Sequence, residues 1–184
     1  MIIMTGFAGL AGTQSALEEK KEKLLERFSK TFLDDIPAYD PEKASELTEN
    51  ILQKSRADCI VAAGKDGIFA ALWELGEAAD CGMRIDTASI PILQETIEIA
   101  DILDINPYED DSTGCFLFII NGEDTDRVMQ KLRENGIAAF LIGYETKDRD
   151  RLLIGRDGER RFLTPLSRIE AEKKQRENYK CQTR

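Results

Sequence analysis

Gly67-Ile68-Phe69-Ala70-Ala71-Leu72-Trp73-Glu74-Leu75-Gly76-Glu77-Ala78-Ala79 is the stretch on which the fold of this 184-residue sequence turns. It reads as a helix over Ile68–Ala79, with Phe69, Leu72, Trp73 and Leu75 as core side chains rather than a stacking platform. Gly64-Lys65-Asp66-Gly67 before it reads as a turn, and Cys59–Ala63 before that as a strand. Met83–Asp86 follows as another strand. This strand–turn–helix–strand unit sets the class: α/β, a mixed sheet with helices packed on it.

Working outward, Leu93–Leu103 is a helix bounded by Pro91 before it and Asn106-Pro107 after it. Cys115–Ile120 is the most hydrophobic run and is expected as a central strand. Asp124–Asn135 reads as a helix stopped by Gly136 in the left-handed conformation, and Ile137–Tyr144 as a strand. Leu152–Ile154 and Arg161–Leu163 flank Asp157-Gly158, a hairpin signal. Toward the N-terminus, Asp40-Pro41 caps and opens a helix whose face is Ala44, Leu47, Ile51 and Leu52. Leu17, Leu24, Leu25, Phe28 and Phe32 form one stripe and predict one long helix, with Ser15-Ala16-Leu17-Glu18 as its capping box. Met1–Met4 is a short buried strand, and Arg168–Lys180 a polar tail. The organisation expected is a strand and glycine-rich segment over 1–14, two helices over 15–56, the main domain over 57–166 and the tail over 167–184.

Composition narrows the chemistry. Hydrophobic residues make up 42% and charged residues 33%, a soluble globular mixture, and the net charge is −10. That field repels phosphate backbones and anionic lipid, so neither nucleic acid nor a membrane surface is an expected partner. Arg156–Arg161 is a local basic spot that could meet a single phosphate. No apolar run is long enough to span a bilayer, and no signal-peptide pattern follows Met1, so the cytoplasm is the expected compartment. The sequence contains no histidine, which removes the commonest general base and metal ligand together. Cys59, Cys81, Cys115 and Cys181 lack metal-site spacing and read as small hydrophobes and one tail thiol.

Three constellations could carry chemistry. Gly6-x-x-Gly9-x-x-Gly12-Thr13 leads into a helix, where backbone amides attract anions and glycines admit a phosphate closely. No Gly-Lys-Ser/Thr follows, so it is not a P-loop, and a tight turn explains it as well. In Gly64-Lys65-Asp66-Gly67, Lys65 could meet a phosphate and Asp66 could hold magnesium or act as a base; an ordinary turn explains these residues equally. Asp110-Asp111-Ser112-Thr113-Gly114 could hold a hard cation through Asp111, or be a solvated turn.

Beyond pattern, the opening stretch together with Ile85-Asp86, Ile90-Pro91-Ile92, Gln94-Glu95-Thr96-Ile97-Glu98-Ile99, Asn106-Pro107-Tyr108 and Thr113-Gly114 resembles the C-terminal domain of the aminoimidazole ribonucleotide (AIR) synthetase-related, PurM-like superfamily. The likeness is to the AIR synthase-related proteins labelled hydrogenase maturation factors. Thr5–Thr13 resembles the segment joining the two domains of those proteins, and Arg161–Pro165 their closing motif. The resemblance implies an α/β sandwich of partly ferredoxin-like topology, normally preceded by a domain that supplies the ATP·Mg site. The family's loop His-Asp-x-Thr/Ser-x-Gly-Gly falls on Val61–Gly67, where only Gly67 matches.

The reading that follows is a stand-alone C-terminal domain, not catalytic alone, that acts as a binding or assembly subunit. It would pair with itself as a homodimer or with a separate N-terminal ATP-binding subunit, through apolar surface expected on Met1–Met4 and the first helix. The alternative is a component of an ATP-dependent synthetase or dehydratase, complete only with its partner, with ATP phosphates at Gly9, Gly12, Lys65, Gly67 and Gly114 and the metal near Asp66 or Asp111. A third reading is a small-ligand sensor using a pocket beneath Gly114.

Overall fold

The computed structural model describes residues 1–165. The expected tail and Cys181 lie outside the described residues. In chain order the elements are β1 (Ile2–Thr5), α1 (Leu10–Glu19), α2 (Lys21–Leu25), α3 (Lys30–Asp34), α4 (Pro41–Leu52), β2 (Ala57–Ala62), α5 (Gly67–Ala78), β3 (Gly82–Asp86), α6 (Gln94–Leu103), β4 (Phe116–Ile120), α7 (Gly122–Glu134), β5 (Ala139–Thr146), β6 (Arg151–Ile154) and β7 (Arg160–Phe162).

The strands form one seven-stranded sheet in the order β2-β4-β1-β5-β3-β6-β7. It is mixed: β3 and β6 run parallel, and the other neighbours pair antiparallel. β4 and, apart from Thr5, β1 are apolar because both of their faces are covered. Ile2, Met4, Leu117 and Ile119 point to one side, where Ile68, Leu72 and Leu75 of α5 meet them. Ile3, Phe116, Phe118 and Ile120 point to the other, against Ile51 and Leu52 of α4 and Val128 and Leu132 of α7. The two-residue alternation of strand side chains places them in two separate cores, and each fully buried side chain contributes about 1.5–3 kcal/mol.

Three expectations are corrected. The stripe from Leu17 to Phe32 is not one helix but α1, α2 and α3. Glu18–Lys23 holds no apolar residue to anchor a straight continuation, and Ser29 starts α3 by accepting the Phe32 N–H at 3.1 Å. The three pieces thereby wrap around α6, packing Ala16, Leu24 and Leu33 against Ile99 and Leu103. The capping box does not form: α1 begins at Leu10 behind Gly9, and the Ser15 hydroxyl donates to the Ala11 carbonyl inside the helix. Met1–Met4 offers no apolar docking face either, since Ile2, Ile3 and Met4 are fully buried. Met1 and, in the stripe read as the first helix, Leu25 are exposed, but the row with the most exposed aromatic side chains lies on the sheet. In register across β5, β3, β6 and β7, Tyr144 pairs with Arg84, Arg84 with Leu152, and Leu152 with Phe162. Tyr144 and Phe162 are 52% and 68% exposed in that row.

Several readings agree closely with the structure. Asp40 caps α4 by accepting the Lys43 N–H, Gly136 ends α7 at φ 75°, and β6 and β7 form the hairpin across Asp157-Gly158. β4, flanked by β2 and β1, is buried at every residue.

Candidate functional site

The loop after α6, residues 106–114, brings the three constellations together. Its Ser112 Oγ accepts the Gly9 N–H at 3.0 Å, and the Asp111 carbonyl accepts the Gly12 N–H at 3.0 Å. The Ser112 N–H donates to the Gly64 carbonyl, and the Tyr108 carbonyl accepts from Ile68 and Phe69 at the start of α5. One loop thus joins the starts of α1 and α5. Glycine is required where it does so. Gly67 has φ 77°, and a Cβ there would meet the Glu109 backbone at 2.7 Å; a Cβ on Gly12 would overlap the Asp110 carboxylate.

This packing changes what the glycines can do. The Gly9 and Gly12 amides already have partners within the chain, as do those of Ile68 and Phe69. These four amides at the starts of α1 and α5 are therefore taken by the loop's own oxygens. Gly64 is open, with nothing near the position of a Cβ. Lys65 and Asp66 sit in the turn beside it and each has a partner of its own. The Asp111 carboxylate accepts from both the N–H and the hydroxyl of Thr113. Among the described residues no group of three metal-ligating side chains converges. Asp66 and Asp111 by themselves thus do not make a magnesium site, and further carboxylates or phosphate oxygens would have to complete it.

Gly114 lies on the other side of the loop, with φ 95°. The Tyr39 ring takes the place of a side chain there, and the Tyr39 hydroxyl donates to the Thr113 carbonyl at 3.0 Å. Burial holds the Tyr39 phenol well above its ordinary range. Beneath Gly114 is a hollow of about 590 Å³, walled by Phe7, Leu10, Leu47 and Ile137, with Asp40 and Lys43 as its charged residues. Beside it, Cys115 is buried and donates to the Phe7 carbonyl. Burial pushes its thiol up to about 12, so it is no nucleophile at neutral pH.

The concave polar surface of this region was not legible in the sequence. A hollow of about 430 Å³ lies between Thr87, Pro91, Ile92, Ile97, Tyr108 and Arg156. Tyr108 stacks on Phe69, with ring centroids 4.8 Å apart and planes 6° from parallel, and Arg161 lies 5.5 Å over the Phe69 ring. Burial raises the Tyr108 phenol above its usual range, while Arg156 and Arg161 act the other way. The basic spot of the sequence thus folds back onto the loop that joins the glycine turns. Asn106-Pro107 was visible as a helix stop, but nothing in the sequence tied Tyr108 to residues nearly fifty positions later.

Residues 2–154 match the family described as AIR synthase related protein, C-terminal domain. The chain belongs to that family. A hydrogenase expression/formation protein of Methanocaldococcus jannaschii is 30% identical over 113 residues, 60% of this chain and 34% of that protein. The phosphoribosylformylglycinamidine synthase subunit PurL of Corynebacterium glutamicum is 25% identical over 173 residues, 90% of this chain and 21% of that subunit. HypE, a hydrogenase maturation protein, has the same fold. The E. coli structure gives a TM-score of 0.69 at 19% identity over 92% of this chain and 51% of its own. HypE in complex with ATP gives 0.69 at 15% identity over 90% and 50%. The chain therefore spans about half the length of the HypE structures and about a third of the archaeal relative. Among the described residues no helix is long and apolar enough to cross a membrane.

Proposed function

We propose that this chain is the ligand-binding C-terminal portion of an AIR synthase-related, ATP-dependent assembly. In this reading it contributes contacts to a phosphorylated small molecule but no reacting group of its own. The observation that carries the reading is the hollow at Tyr108 and Arg156, built on the loop that joins the Gly9–Gly12 and Gly64–Gly67 turns. An aromatic hydroxyl, a threonine and an arginine face it beside apolar Pro91, Ile92 and Ile97, the mixture that holds a sugar or base by its faces and a phosphate by its charge. The Gly9 and Gly12 amides act as braces of that loop, and Lys65 and Asp66 stand at the open turn where a nucleotide and its metal would approach. The ATP complex known for HypE supports a nucleotide as the ligand class.

ATP-binding residues and most metal ligands would come from a domain of the N-terminal type, in the same polypeptide or a separate subunit. The Tyr144–Arg84–Leu152–Phe162 row, with Tyr144 and Phe162 exposed on either side of the ion-paired Arg84, is the sheet surface available to such a partner or to a second copy.

The test is a thermal titration of the chain with ATP·Mg, ADP, AMP and ribose 5-phosphate, alone and with the co-purified partner. A ligand present at 100 times its Kd adds about 2.7 kcal/mol of stability. The expected result is a rise in melting temperature that Arg156→Ala abolishes while Lys65→Ala reduces it. No rise with any of these ligands in either setting overturns the proposal.

A further inference from the structure

At the other end of β2 from the Gly64 turn, a third hollow of about 290 Å³ lies between the C-terminal end of α4 and α7. Its floor is apolar, made by the buried Ile51 and Val128. Its rim carries Lys54, Arg56, Arg127 and Lys131. In a chain of net charge −10, four cations around one small hollow are an inversion of the surrounding field. Asp124 answers two of them, contacting Arg127 and lying 3.9 Å from Arg56. The Lys54 and Lys131 ammonium groups have no carboxylate within ion-pair distance among the described residues.

Like charges one turn apart on a helix, as at Arg127 and Lys131, destabilise it, so the cluster stores repulsion that an anion would relieve. We propose that this hollow is a phosphate-binding site, separate from the Tyr108–Arg156 region. A phosphate dianion offers three acceptor oxygens to two guanidinium forks and two ammonium groups, where a carboxylate offers two. The phosphate comes either from a small phosphorylated molecule or from a phosphorylated segment of a protein.

The experiment is a titration of the full chain at low ionic strength, followed through backbone amide resonances. The probes are glycerol phosphate and a phosphoserine peptide with its unphosphorylated form. Saturable shifts are expected at Ser55, Arg56, Arg127 and Lys131. The exposed double variant Lys54→Ala, Lys131→Ala should bind about tenfold or more weakly with a melting temperature no lower than the parent's, and Lys147→Ala, an exposed lysine outside both hollows, should bind as the parent does. Much tighter binding of the phosphopeptide assigns the phosphate to a protein partner; equal binding assigns it to a small molecule. Shifts that do not saturate, shifts confined to the Arg156 region, or undiminished binding by the double variant overturn the proposal.

Discussion

The Asp110 carboxylate fills the space that a side chain at position 12 would occupy, so Gly12 and Asp110 are steric complements across the junction of α1 and the 106–114 loop. A glycine inside α1 costs about 1 kcal/mol relative to alanine, and this close approach explains why it stands there. Gly12→Ala is expected to lower stability by about 1–3 kcal/mol through overpacking. The double variant Gly12→Ala, Asp110→Ala should recover much of that loss. Chemical denaturation of the two singles and the double gives the coupling directly; strict additivity would mean that the two residues do not meet.

Gly64 and Gly67 lie in one turn but make opposite demands. Gly67→Ala is expected to cost about 3 kcal/mol or more, combining the left-handed backbone with a collision against the rigid Tyr108–Glu109 backbone. Gly64→Ala has open space around it and should change the urea midpoint little. Equal losses at the two positions would contradict this geometry.

Arg151 lies 4.3 Å over the Trp73 ring and pairs with Glu77 at 2.6 Å. Its Nε is buried without an acceptor, and Gly76 leaves the room in which it lies. Arg151→Ala removes the stacking, the ion pair and a buried stem, and is expected to cost about 2–4 kcal/mol. Arg151→Met keeps the stem and removes the unsatisfied Nε, so it should cost less. Trp73 fluorescence during unfolding reports both, and a methionine variant as unstable as the alanine variant would show that charge rather than packing holds the site.

Burial raises both the Cys115 thiol, to about 12, and the Tyr39 phenol. The native state therefore keeps protons that the unfolded chain releases once pH passes the ordinary thiol range, near 8.5–9. With more protons bound in the native state, stability falls as pH rises from there. The expected outcome is alkaline destabilisation that becomes shallower in Cys115→Ala and Tyr39→Phe. Alkylation at pH 8 should also leave Cys115 unlabelled until the protein unfolds. A flat stability profile from pH 8 to 11 would refute the assignment.

The elements with self-contained signals were legible in the residues: Asp40-Pro41 before α4, Gly136 after α7, the Asp157-Gly158 hairpin and the doubly buried β4 all act over a few positions. The resemblance carried on Gly67–Gly114 likewise led to the family to which the chain belongs. The break between α1, α2 and α3 was not legible. Local helical periodicity there yields to the need to wrap α6, and α6 lies some seventy residues further along the chain.

The sequence by itself determined the elements that are decided within a turn or two and the α/β class, because caps, turn glycines and side-chain alternation are local physics; the family was legible only through the motifs that resemble it. Only the tertiary structure decided what the Gly9 and Gly12 amides meet. The Gly9 and Gly12 amides look outward in a sequence, yet in the fold they meet Ser112 and Asp111 from a loop a hundred residues away. It likewise decided that Arg156 would face Tyr108 and that Lys54 and Arg56 would meet Arg127 and Lys131. Those meetings follow from strand order and helix packing, which are set by the burial of two cores at once and leave no mark on the residues that they bring together.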